Sequence, residues 1–94
     1  MSKPTLIEII KNPNLSTDRV KIQNKINALW NSYTHEKELS TILVQAIYKR
    51  ADGSLFDLTS WVELPKRPSG KDSKSTLLGI KLFKVRQQAT AAKI

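Results

Sequence analysis

The apolar positions follow a helical period early in the chain and a strand period later. The early series has intervals of four, three, one and three residues: Ile22, Ile26, Leu29, Trp30 and Tyr33. This spacing places all five on one side of a helix and predicts an amphipathic helix. Ser16 or Thr17 can cap its start, and Asp18 lies favourably in its first turn.

A shorter helix is expected before it. Pro4 suits the first turn of a helix, where its missing N–H costs nothing. An apolar side follows, made of Leu6, Ile7, Ile9 and Ile10. The Asn-Pro-Asn sequence at 12–14 ends this helix.

From Thr41 apolar and polar residues alternate, which predicts two antiparallel strands around a turn at 51–53. A two-residue turn would mix apolar and charged residues on one face. A three-residue loop with left-handed Gly53 gives one coherent core face. It pairs Tyr48 with Phe56, Ala46 with Leu58, Val44 with Ser60 and Ile42 with Val62.

A helix over 36–50 stays open as an alternative to the first of these strands. Leu39, Leu43, Ala46 and Ile47 also lie at helical spacing. The β-branched content and the Asp-Gly turn favour the strand.

A third strand is predicted over 76–87, after a polar segment at 65–75. The resulting fold class is α+β: two N-terminal helices packed on a three-stranded, mainly antiparallel sheet, with a long basic loop between strands 2 and 3. The 94 residues form one small domain, with a helical part at 1–35, a sheet at 40–87, a flexible basic loop at 65–75 and a tail at 88–94.

Positive charge is concentrated in the last third of the chain. The net charge is +8. Residues 1–64 carry eight Lys or Arg and seven Asp or Glu, whereas residues 65–94 carry eight and one. Such asymmetry is typical of a surface that meets a polyanion, although a basic segment can also serve solubility alone.

Few residues suit catalysis. The chain has one histidine, His35, and no cysteine, so neither a metal site nor a catalytic triad can be assembled in the usual way. No cofactor or metal is expected. We expect a non-enzymatic protein, with a toxin-type ribonuclease as the least improbable enzyme.

Nucleic-acid binding is the preferred function. Cations in the loop and on the strands can neutralise phosphates, and two aromatic residues on the sheet face opposite the helices can stack on bases. The candidate residues are Lys66, Arg67, Lys71, Lys74, Lys81, Lys49, Trp61 and Phe83. Single-stranded and duplex ligands both remain open, since the basic loop can also act as a duplex-DNA arm.

The alternative is a structural or adaptor protein whose exposed sheet face binds another protein or a second copy of itself. That face is expected to contain Leu43, Ile47, Trp61, Phe83 and Val85. No apolar run is long enough for a membrane span and no signal-peptide pattern is present, so we expect a cytoplasmic protein.

The predicted order of two helices, a sheet and a basic proline-containing arm resembles the small histone-like HU/IHF proteins. The similarity covers roughly the first third of the chain and lies in the spacing of Lys3, Leu6, Ile7, Leu15 and Ser16. The Gly-Phe-Gly turn and Gly-Arg-Asn-Pro arm tip of that family are absent here. The resemblance therefore concerns architecture and spacing alone, does not establish membership of that family and assigns no functional residue.

Overall fold

The structure is a computed structural model that describes residues 4–36 and 39–86. The predicted tail at 88–94 and Lys3 lie outside the described residues. Within these ranges the elements are strand β1 (Thr5–Lys11), helix α1 (Leu15–Tyr33), strands β2 (Ser40–Lys49) and β3 (Leu55–Trp61), a short 3-10 helix (Gly70–Asp72) and strand β4 (Thr76–Arg86).

The four strands form one sheet in the order β1-β4-β2-β3, and all neighbours are antiparallel. Strands β1 and β2 therefore run in the same direction with β4 between them. Helix α1 connects β1 to β2 and packs on one face of the sheet. We call this the helix-covered face and the opposite one the outer face.

The predicted fold class is wrong in its number of helices and strands: the described residues contain one long helix and four strands, and the segment predicted as the first helix is β1. A register shift between Leu6 and Glu8 explains the error. It places Leu6 and Ile9 outward and Ile7 and Ile10 inward, so the apolar residues of each face lie three positions apart, a spacing that a helix also produces.

The second predicted helix is confirmed as α1, with a different cap and a different position for one aromatic residue. The N-cap is Asn14, whose side chain accepts from the Ser16 backbone N–H, and neither Ser16 nor Thr17 has this role. Ile22, Ile26 and Tyr33 are buried as predicted, but Trp30 is 41% exposed.

The β2–β3 hairpin is confirmed with its predicted register: Tyr48 pairs with Phe56, Ala46 with Leu58 and Val44 with Ser60. The loop has three residues, and Gly53 adopts a φ of 91°, the left-handed region that glycine tolerates best.

Side-chain hydrogen bonds stabilise the hairpin loop, and the backbone changes direction where β3 ends. Hydrogen bonds from the Ser54 hydroxyl and N–H hold the pKa of Asp52 below its usual range. Strand β3 ends at Trp61, and Val62 follows with a φ of 64° while its N–H still donates to Ile42.

The last predicted strand is confirmed as β4, but its position in the sheet was not anticipated. It pairs with β2 on one side and β1 on the other. The central strands β2 and β4 supply most of the core, which is made of Ile22, Ile26, Tyr33, Ile42, Val44, Ala46, Tyr48, Leu64, Ile80 and Leu82.

The chain after β3 is fixed to the helix by one side chain. The Gln23 amide donates to the Val62 carbonyl at 2.9 Å and accepts from the Leu64 N–H at 3.0 Å. Both Leu64 and the following Pro65 are buried. Gln23 therefore directs the segment that leads to β4 across the helix-covered face.

We predict that Gln23→Ala destabilises the fold by about 1–2 kcal/mol, because two backbone groups lose their partners. Urea unfolding measures this change. The matched control is Asn24→Ala, since Asn24 is an exposed amide on the same helix. Equal stabilities for the two variants would show that Gln23 does not hold the segment.

Candidate nucleic-acid interface

The outer face is lined by alternate residues of the four strands, because successive side chains of a strand point to opposite faces. Its described positions include Leu6, Ile9, Lys11, Leu43, Gln45, Ile47, Lys49, Asp57, Thr59, Trp61, Lys81, Phe83 and Val85. Within the described ranges no helix packs on this face, so its apolar residues stay at the surface.

One row of large apolar side chains crosses all four strands on this face. Leu6 pairs with Phe83, Phe83 with Leu43, and Leu43 with Trp61. Trp61 is 56% exposed and Leu6 46%, while Leu43 and Phe83 are half-buried between them. We call these four residues the aromatic row.

The structure brings the two predicted stacking residues to opposite sides of Leu43. Each antiparallel pair separates Cα atoms by about 4.5–5.5 Å, so Phe83 and Trp61 lie about 10 Å apart. Two aromatic rings at this separation can each receive one base of an extended strand.

The next row of the outer face is mostly polar. Lys81 pairs with Ile9 on one side and Gln45 on the other, and Gln45 pairs with Thr59. The Gln45 amide donates to Asp57 at 2.9 Å. This row places one cation and two neutral hydrogen-bonding groups beside the aromatic row.

Among the described positions of the outer face, lysines outnumber acidic residues. The described positions include Lys11, Lys49 and Lys81 but a single carboxylate, Asp57. Ion pairs of the helix-covered side involve other residues: Lys25 with Glu8, and Lys84 with Glu36. The outer face therefore has a positive balance.

The predicted loop cations are not gathered beside the aromatic row. Lys71 lines a shallow cavity with the hairpin loop, and Arg67 lies in a cleft with Tyr48 on the helix-covered side. Tyr48 is five residues further along β2 than Leu43, or about 17 Å. Lys66 and Lys74 are exposed.

The segment predicted as a flexible basic loop contains several fixed contacts. Pro65 is buried, residues 70–72 form the 3-10 helix, and Arg50 donates to Asp72 at 2.9 Å. Arg50 also lies over the Phe56 ring, 4.4 Å from its centre. These contacts dock the middle of the segment on the hairpin, and its flexibility stays a prediction.

Tyr48 lies in the cleft that Arg67 lines. Burial raises the pKa of its phenol, and Arg19 and Arg67 oppose this rise by favouring the phenolate. The ring stacks on Phe56 with 5.3 Å between ring centres. Sequence reasoning placed Tyr48 in the core and missed that it shares a cleft with Arg67.

Leu6 and Ile9 were also missed, because the segment 5–11 was assigned to a helix. The signal was present in its composition: Thr5, Ile7, Ile9 and Ile10 are β-branched and favour a strand. With β1 in the sheet, the outer face is one strand wider than expected.

Comparison with known proteins gives no relative: no family model matches the chain, and no curated protein or solved structure is significantly similar to it. Within residues 4–36 and 39–86, no helix has both the length and the apolar character needed to cross a membrane. Function is therefore inferred from the residues and their arrangement.

We predict that Arg67→Ala raises the pKa of Tyr48 further, because the lost guanidinium favours the phenolate. Absorbance titration of the phenolate measures the shift in a Tyr33→Phe background, where Tyr48 is the sole tyrosine. Lys71→Ala is the control and should leave the pKa unchanged. An unchanged or lowered pKa in Arg67→Ala would refute the position of Arg67 beside the phenol.

Proposed function

We propose that the protein is a non-enzymatic nucleic-acid-binding protein that holds single strands on the outer face of its sheet. The aromatic row carries this proposal, because it combines an exposed tryptophan and a second aromatic residue on a face with excess lysine. Bases stack on such rings with about 1–3 kcal/mol each, with little dependence on sequence.

Single strands fit the face better than a duplex does. Stacking on Trp61 and Phe83 requires bases that are free of a neighbouring base pair, and a sheet surface offers room for them to spread. Lys81 lies next to the aromatic row, where it can contact the phosphate that joins two stacked bases.

The remaining predicted cations extend this surface towards the hairpin. Lys49 ends β2 on the outer face, and Lys71 lies beside the hairpin loop. We propose that these residues, with Lys66 and Lys74, contribute phosphate contacts away from the stacked bases, whereas Arg67 lies in a cleft on the helix-covered side. We propose the cytoplasm as the place of action, where single-stranded nucleic acid is accessible.

A second candidate function is protein binding through the same face. This candidate is favoured by the exposed aliphatic side chains of the face: Leu6 is 46% exposed and Ile9 48% exposed. The same face also contains Leu43, Ile47 and Val85. Exposed apolar patches of this kind mark protein partners as well as other ligands. If the protein forms a homodimer through this face, the Trp61→Ala variant should be monomeric, which analytical ultracentrifugation measures.

We predict that Trp61→Ala weakens binding of a labelled 12-nucleotide single strand by roughly 5- to 150-fold, the equivalent of about 1–3 kcal/mol. Fluorescence anisotropy measures the affinity, with DNA, RNA and duplex probes in parallel. The control is Trp30→Ala, since Trp30 is an exposed tryptophan on helix α1.

Salt provides a second measurement in the same experiment. Lys81→Ala should make the slope of log affinity against log salt shallower by about 0.7, the value for one phosphate contact of a single strand. Equal affinities for Trp61→Ala and Trp30→Ala, or tighter binding of the duplex, would contradict the proposal.

A further inference from the structure

A cleft on the helix-covered side has features that the outer face does not explain. It lies between the start of α1 and the segment that enters β4, with a volume of about 340 Å³. Its polar lining includes Arg67, Tyr48, Ser16, Ser73 and Ser75. No Asp or Glu is among the described residues that line it.

The Tyr48 hydroxyl is the unusual group in this lining. The side chain is only 4% exposed, yet its hydroxyl makes no hydrogen bond to any part of the chain that the structure describes. Every fully buried side-chain N or O atom among the described residues has a hydrogen-bond partner, so the Tyr48 hydroxyl is reached from the cleft and is not sealed in the core. A ligand in the cleft can therefore accept a hydrogen bond from this hydroxyl.

Two arginines from different parts of the chain favour the phenolate of Tyr48, and one of them, Arg67, lines the cleft. Arg19 belongs to α1 and Arg67 to the segment after β3, and both act electrostatically on Tyr48. Within the described residues neither arginine forms an ion pair. Nearby carboxylates are already engaged: Asp72 accepts from Arg50, and Asp18 accepts from the Asn14 N–H.

This combination of groups matches a phosphate. Guanidinium groups bind phosphate oxygens with two parallel hydrogen bonds, and hydroxyls donate to the remaining oxygens. The start of α1 adds a favourable dipole, although Asn14 already caps the Ser16 N–H. Two arginines balance the charge of a phosphate monoester, which is close to −2 at neutral pH.

We propose that this cleft binds a phosphate monoester, with Arg67 on the phosphate oxygens and Tyr48, Ser73 and Ser75 as hydroxyl donors. Pro68 and Leu77 form an apolar wall for the carbon skeleton of the ligand. The monoester can belong to a free nucleotide or to the 5′ end of a strand. This site is separate from the outer face and does not depend on its function.

The test is a titration of ¹⁵N-labelled protein followed by NMR at constant ionic strength. The probes are sodium phosphate, AMP, and a hexanucleotide with and without a 5′-phosphate, with sodium chloride as the reference. We expect the monoesters to shift the amides of Ser16, Ser73 and Ser75 and to bind more tightly than the unphosphorylated hexanucleotide does at these amides.

Variants separate a built site from general positive charge. Tyr48→Phe keeps the ring that stacks on Phe56 and should weaken monoester binding about three- to tenfold through loss of one hydrogen bond. Arg67→Ala should weaken it about tenfold or more, since its bonds involve a charged group. Lys21→Ala, which removes an exposed cation of α1 that does not line the cleft, should change it less than about twofold.

The results distinguish a free nucleotide from the 5′ end of a strand, and the cleft from the outer face. Preference for AMP assigns a nucleotide and preference for the phosphorylated hexanucleotide assigns a strand end, and either supports the cleft. Equal shifts with chloride and phosphate, or equal losses in Arg67→Ala and Lys21→Ala, would overturn it. Trp61→Ala should leave phosphate binding unchanged, so failure of the outer face and failure of the cleft are distinguishable.

Discussion

One 19-residue helix can cover only one face of a four-stranded sheet, and the rest of the structure follows from this constraint. The core forms where α1 meets the inward residues of β2 and β4, several of which are fully buried. On the outer face, β2 and β4 also carry large apolar side chains, Leu43 and Phe83. Since no described element covers them, the sequence retains an exposed apolar face, and a binding function is the simplest physical reason for it.

The position of β4 between β1 and β2 explains why the basic residues divide into groups. After β3 the chain must return to the opposite end of the sheet before β4 can begin. Gln23 holds its first residues against α1, and Arg50 holds Asp72 beside the hairpin. Arg67 is thereby carried towards Tyr48 and away from Trp61. Concentration of charge in one part of a sequence therefore did not produce a single basic surface around the aromatic residues.

The sequence correctly predicted the elements in which the spacing of apolar residues is regular and the turn residues fit that spacing. The β2–β3 register followed from the alternation of apolar and polar residues and from a loop that needs a left-handed backbone at Gly53. Helix α1 followed from the spacing of Ile22, Ile26 and Tyr33. Strand β1 was missed because its bulge leaves the apolar residues of each face three positions apart, as they would be in a helix. The order of strands was not predictable, because β4 has apolar residues on both faces and suits a central or an edge place equally. Trp61 and Phe83 were correctly placed on the outer face, whereas the Tyr48 cleft depends on contacts between distant segments.

The most direct measurement of the central claim is NMR mapping of the ¹⁵N-labelled protein with an unlabelled, unphosphorylated single-stranded oligonucleotide. If single strands lie on the outer face, the largest changes occur at Leu43, Trp61, Phe83 and Lys81, including the indole N–H of Trp61. Changes confined to α1 and the 62–75 segment, with none at the aromatic row, would contradict it.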